Sequence, residues 1–146
     1  MKTCEDVMTQ NPKCCLPTDT AADVAQVMKR ENIGSVPVCE DRRGNKLIGV
    51  VTDRDLAMKI VAEGRDPRTT RVSDVMTRNP ITCHPEDDLQ QALEAMERRQ
   101  VRRVPVVANG GTLVGIIAQA DIATRGDEPE MTAEVVEVIS RHAAVH

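Results

Sequence analysis

The chain contains no phenylalanine, tyrosine or tryptophan. That absence removes the aromatic faces on which unpaired bases stack, and a net charge of -4 gives no overall attraction to a polyanion, so nucleic acid is not expected as a partner. Histidine is scarce, at 3 in 146 residues, and neither a glycine-rich phosphate loop nor a metal-ligand motif occurs. No set of nucleophile, base and orienting group can be assembled, and the chain is not expected to be an enzyme. The five cysteines, Cys4, Cys14, Cys15, Cys39 and Cys83, form no C-x-x-C, and free thiols in a reducing compartment are the default reading. No apolar run approaches the length of about 20 residues that spans a bilayer. Met1 to Asp6 lacks the apolar core of a signal peptide, so a cytoplasmic protein with no membrane partner is expected.

What is present is present twice. Val7-Met8-Thr9-Gln10-Asn11-Pro12 returns as Val75-Met76-Thr77-Arg78-Asn79-Pro80, and Ser35-Val36-Pro37-Val38 as Arg103-Val104-Pro105-Val106, both at an offset of 68 residues. Leu47 to Asp55 returns as Leu113 to Asp121 at an offset of 66. A repeat sets the architecture before any single residue does. A copy of about 50 residues is marginal alone because too much of its surface stays wet, so the copies are expected to share a core.

In the first copy, a short extended segment at Lys13 to Leu16 is closed by Pro17. Thr20 and Asp23 have capping-box spacing at the start of a helix whose apolar face is Ala21, Val24, Ala25, Val27 and Met28. Asn32 and Gly34 end it. Strands are expected at Ser35 to Cys39 and Lys46 to Val51, and a helix from Thr52 to about Glu63. The second copy predicts a strand at Ile81 to Cys83, a helix from Asp87 to Arg99, strands at Arg103 to Val107 and Thr112 to Ile117, and a helix from Gln119. Pro37 and Pro105 lack an N–H and are read as marking the strand edge that faces a cleft. Met8, Met28, Met76 and Met96 fall at equivalent positions and read as core or dimer contacts. A final amphipathic helix is expected between Thr132 and His142. The fold class is α/β, and the boundaries are 1–64 for the first repeat, 65–72 for a linker, 73–126 for the second repeat and 127–146 for a helical tail.

These motifs, three in order and each occurring twice between about residues 5 and 125, resemble the cystathionine-β-synthase (CBS) domain, and the pair resembles a Bateman module. The resemblance implies two pseudo-symmetric repeats, each strand-helix-strand-strand-helix, packed through their sheets, with clefts that take adenine nucleotides or adenosyl ligands. It also implies a homodimer and a regulatory, energy-sensing role toward a partner protein. Its ligand site would use Thr52 on the ribose or phosphate side, Asp55 on the ribose, and Arg54 more weakly. Pro80, Ile81, Val101, Arg102, Arg103 and Pro105 would complete it, with the arginines as phosphate donors and Ile81, Val101 and Pro105 around the adenine. Thr52 and Asp55 also have capping-box spacing, and Arg102 and Arg103 also suit the solvated end of a helix.

The symmetry-related cleft would draw on Lys13, Ile33, Gly34, Ser35, Pro37 and Asp121. It is poorer, because Ala118 replaces the threonine and no cation stands at Gly34 or Ser35. AMP, ADP or ATP is the expected ligand, with S-adenosylmethionine or NAD as further candidates, and no obligatory cofactor is expected. The alternatives are a thiol- or metal-responsive sensor, using Cys83-His84 with Cys14-Cys15, and a nucleotide-hydrolysing enzyme.

Overall fold

The computed structural model describes residues 2–125, and the expected tail helix at 127–146 lies outside the described residues. In chain order the elements are α1 (Cys4–Val7), β1 (Thr9–Gln10), α2 (Ala21–Glu31), β2 (Ser35–Cys39), β3 (Leu47–Thr52) and α3 (Asp53–Leu56). A π-helical turn at Ala57–Val61 and a 3-10 turn at Val72–Asp74 lead to β4 (Thr77–Arg78), α4 (Leu89–Arg99) and β5 (Arg103–Val107). A 3-10 turn at Asn109–Gly111, β6 (Leu113–Ala118) and α5 (Gln119–Arg125) complete it.

The sequence repeats and the compact units are not the same objects. One unit holds the chain up to Pro12, Ile81–Asn109 and the chain from Leu113, and the other holds Lys13–Pro80 with Gly110–Thr112. The Val-Met-Thr-x-Asn-Pro head of each copy therefore folds with the strands of the other. β1 pairs antiparallel with β6, Thr9 opposite Ile116 and Gln10 opposite Gly115, which makes a sheet of order β1-β6-β5. β4 pairs antiparallel with β3, Arg78 opposite Gly49 and Thr77 opposite Val50, which makes the sheet β2-β3-β4. The boundaries 1–64, 65–72 and 73–126 follow the repeat, whereas the units exchange the heads.

The head motif has a steric explanation. A Cβ on Gly49 would lie 2.9 Å from both the Met76 sulfur and the Thr77 carbonyl oxygen, and one on Gly115 would overlap Met8 and lie 3.0 Å from the Thr9 oxygen. Glycine is what lets each two-residue head strand close on its partner. Asn11 and Asn79 then take φ of 50° and 52°, a left-handed turn that asparagine tolerates and that carries the chain out of the strand ahead of the proline.

There are two cores rather than the one shared core expected, and each is built from both copies. Cys4 and Val7 pack with Cys83, Leu89, Leu93, Met96, Val104, Val106, Ile117 and Ile122. Val72, Val75 and Met76 pack with Cys15, Val24, Met28, Val36, Val38, Val51 and Ile60. Each copy thus supplies a missing piece of the other's core, which is how such small repeats bury enough apolar surface. Met28, Met76 and Met96 are buried and Met8 packs against a core, as their positions suggested.

Local signals hold with small shifts. Thr20 caps α2 by accepting from the Asp23 N–H at 3.1 Å, while Asp23 accepts from the Thr20 N–H. Ala21, Val24 and Met28 are buried, but Ala25 faces outward and Val27 is half-buried. Asn32 at φ 55° and Gln100 at φ 54° end α2 and α4 in the left-handed region. β2 and β5, which carry Pro37 and Pro105, stand last in their sheet orders, and the Pro37 and Pro105 carbonyls accept from the Cys15 and Cys83 N–H groups. The expected strands at Lys13 to Leu16 and Ile81 to Cys83 reduce to single parallel bridges, Cys15 to Val38 and Cys83 to Val106. The helix expected from Thr52 to Glu63 is instead one α turn followed by the π turn.

Candidate functional site

The segment Thr52 to Lys59 sits where β3 gives way to α3, in the unit formed by Lys13–Pro80. Thr52 is the N-cap of α3: its hydroxyl accepts from the Asp55 N–H at 3.1 Å. Asp55 Oδ2 returns the contact, accepting from the Thr52 N–H at 2.9 Å and the Thr52 hydroxyl at 3.1 Å. The capping reading of this spacing is therefore realised. Lys59, one turn on, places Nζ 3.1 Å from Asp55 Oδ1 and donates to the Val75 carbonyl at 2.9 Å. The same ammonium thereby ties the carboxylate to the segment that leads into β4.

An ionised carboxylate has about four acceptor positions. Thr52 occupies two on Oδ2 and Lys59 one on Oδ1, so Asp55 is fixed in orientation and keeps roughly one acceptor position open. Rotation of the Thr52 hydroxyl proton frees another while its oxygen goes on capping the helix. That is the capacity needed to accept from both hydroxyls of a vicinal diol.

Around this pair lie Ser35, opposite Thr52 across β2 and β3, and Gly34, whose carbonyl accepts from the Asp53 N–H at 2.9 Å. A Cβ on Gly34 would meet the Asp53 carboxylate at 2.9 Å, so the absence of a side chain there makes room for that acid. Thr52, Asp55, Ile33, Gly34, Ser35 and Pro80 are half-buried, Arg54 and Lys13 are exposed, and Pro37 is buried. All of them belong to this one unit.

Ile81, Val101, Arg102, Arg103, Pro105 and Asp121 belong to the other unit. There Arg103 is opposite Ala118 across β5 and β6, and the Arg102 carbonyl accepts from the Gln119 N–H at 3.0 Å. Asp121 Oδ2 accepts from the Ala118 N–H at 3.1 Å, which repeats the backbone half of the Thr52–Asp55 arrangement without the hydroxyl. Arg102 is exposed, Arg103, Val101 and Ile81 are half-buried, and Pro105 is buried. Within each unit, then, the structure joins Thr52 to Ser35 and Ala118 to Arg103.

Two residues escaped the sequence reading. Lys59 was visible as an i,i+4 partner of Asp55. Gln119 is 3% exposed and its Nε2 is buried with no hydrogen-bond partner among the described residues, which no sequence pattern announces. Among the described residues no three His, Cys, Asp or Glu side chains are grouped to hold a metal ion, and Cys83-His84 with Cys14-Cys15 makes no such site. No helix among them is long and apolar enough to cross a membrane.

The protein YhcV of Bacillus subtilis, described as CBS domain-containing, is 35% identical over 146 residues, covering 100% of both chains. The crystal structure of Hypoxic Response Protein I with two coordinated zinc ions superposes with a TM-score of 0.77 at 35% identity, covering 88% of this chain and 100% of that one. CBSX2 in complex with AMP superposes with a TM-score of 0.72 at 26% identity, covering 84% of this chain and 93% of that one. The family model of the CBS domain matches twice, at residues 4–62 and 72–127, and the chain belongs to the CBS domain family.

Proposed function

We propose that this chain is a non-catalytic regulatory module that binds an adenine nucleotide and signals its occupancy to a partner protein in the cytoplasm. Asp55 accepts from the ribose hydroxyls and Thr52 contacts the ribose or phosphate side, and in the other unit Arg102 and Arg103 are donors to phosphate. The observation that carries the reading is the fixed, half-buried Asp55 carboxylate with acceptor capacity in reserve. AMP held by the related CBSX2 supports an adenine ligand. The arginines favour a phosphate-bearing one over S-adenosylmethionine. Asp121, which lacks the threonine hydroxyl, serves a weaker second site. A homodimer is part of the reading, and the exposed Met58 and Val61 of the π turn are apolar side chains suited to a subunit contact.

A thermal-shift panel of AMP, ADP, ATP, NAD and S-adenosylmethionine tests it. A ligand at 100 times Kd stabilises the native state by about 2.7 kcal/mol, which for a chain of this size raises the melting temperature by roughly 5–10 °C. Asp55→Ala and Arg103→Ala should each remove most of that rise and Asp121→Ala less of it. No shift with any of the five ligands, or a larger loss from Asp121→Ala than from Asp55→Ala, would overturn the assignment.

A further inference from the structure

Cys14 is half-buried, whereas Cys4, Cys15, Cys39 and Cys83 are buried. Cys4 and Cys83 are buried at 0% and 5% exposure in one core. A hydrogen bond donated to Cys4, then burial, pushes the Cys83 thiol up. In the other unit Cys15 points inward, its thiol 3.6 Å from the Pro37 carbonyl, so the preceding residue of this extended segment points the other way. That residue is Cys14, half-buried rather than buried.

Asn45 gathers Cys14 and Cys39 together. The Cys14 thiol lies 3.9 Å from Asn45 Oδ1, and the Cys39 thiol lies 3.6 Å from the Asn45 carbonyl oxygen. The backbones are joined as well, since the Cys39 N–H donates to the Cys15 carbonyl at 2.9 Å. Burial, then the neighbouring Cys14 and a hydrogen bond with its thiol, push the Cys39 thiol up to about 12. The second copy has Thr82 and Val107 at the corresponding positions, so the pair belongs to the first copy alone.

We infer that Cys14 and Cys39 are an oxidisable dithiol, a modification site that closes to an intramolecular disulfide under hydrogen peroxide. The Cys14 thiolate, on the accessible side, attacks one peroxide oxygen, the O–O bond breaks, and hydroxide leaves to give the sulfenic acid. The Cys39 sulfur then attacks the Cys14 sulfur, the S–O bond breaks, and the hydroxyl departs as water with the Cys39 proton. Two thiols and one peroxide give one disulfide and two waters: the sulfurs are oxidised and the peroxide reduced. Cys4 and Cys83 are left out because they lie in the core of the other unit, and Cys15 because its thiol turns away from Cys14 toward the Pro37 carbonyl.

The native chain, treated with peroxide, freed of the oxidant and then unfolded for thiol titration, should show three thiols in place of five. Its intact mass should fall by two hydrogens, and fragment spectra should join Cys14 to Cys39. Dithiothreitol should restore all five. Cys15→Val should behave as the parent chain, whereas Cys14→Ser should keep its remaining thiols. A cross-link to Cys15 or Cys83, a disulfide-linked dimer through Cys14, oxygen addition at Cys14 without a cross-link, or no change in thiol count would each overturn the inference. The parent chain alone decides among these, so the result stands even where a variant folds poorly.

Discussion

Replacing Thr52 by alanine should turn its capping site into the arrangement the protein already has at Ala118, and replacing Ala118 by threonine should do the reverse. In the first copy the hydroxyl accepts from the Asp55 N–H at 3.1 Å and donates to Asp55 Oδ2 at 3.1 Å, beside a backbone bond of 2.9 Å. In the second copy only the backbone bond to Asp121 remains, at 3.1 Å. Loss of an N-cap hydroxyl costs about 0.5–2 kcal/mol, so Thr52→Ala should lower the melting temperature by roughly 2–4 °C for a cost near 1 kcal/mol. Ala118→Thr should raise it by a similar amount. Because the chain has no aromatic residue, the melt must be followed by far-ultraviolet circular dichroism or calorimetry rather than intrinsic fluorescence. The same exchange should move nucleotide affinity, with Thr52→Ala weakening it by about 2- to 10-fold if one neutral hydrogen bond is lost. A fall in melting temperature with Ala118→Thr, or none with Thr52→Ala, would refute the view that the two turns differ by one hydroxyl.

Two further outcomes follow from backbone geometry and burial. Gln100 ends α4 at φ 54° and ψ 43°, so Gln100→Gly should stabilise by about 0.5–1 kcal/mol in urea denaturation, through relief of left-handed strain. Burial, then Asp19, raises the Cys15 thiol from 9.0 to about 12, and burial raises Cys39 likewise. The unfolded chain loses these protons first, so stability is full below pH 9.0 and falls as pH climbs through the window toward about 12. In alkaline denaturation Cys15→Val should retain more of its stability across that window than the parent chain, and equal losses would argue against the buried-thiol origin.

The motifs most visible in the sequence were those whose cause is local. Thr20 and Asp23 cap α2 and Asn32 ends it, because each depends on a few adjacent residues. The head motif was legible as a repeat but not as a pairing partner: β1 and β4 are two residues each, too short for any periodic signal. The π turn was missed because its apolar pattern is indistinguishable from that of an α-helix over so short a run. Gln119 marks the start of a helix in the sequence, and its burial depends on what packs around it.

Repetition and local chemistry were enough for the doubled architecture, the helix caps and the family, since neither needs knowledge of distant contacts. The exchange of the heads and the mixing of both copies in each core come from folding, since close approach at Gly49 and Gly115 is a contact between segments far apart in the chain. Folding likewise brings Lys59 to the Val75 carbonyl and makes Cys14 and Cys39, 25 positions apart, meet at Asn45. Spacing in a sequence specifies what one turn can do, and the partner across a sheet is specified by packing.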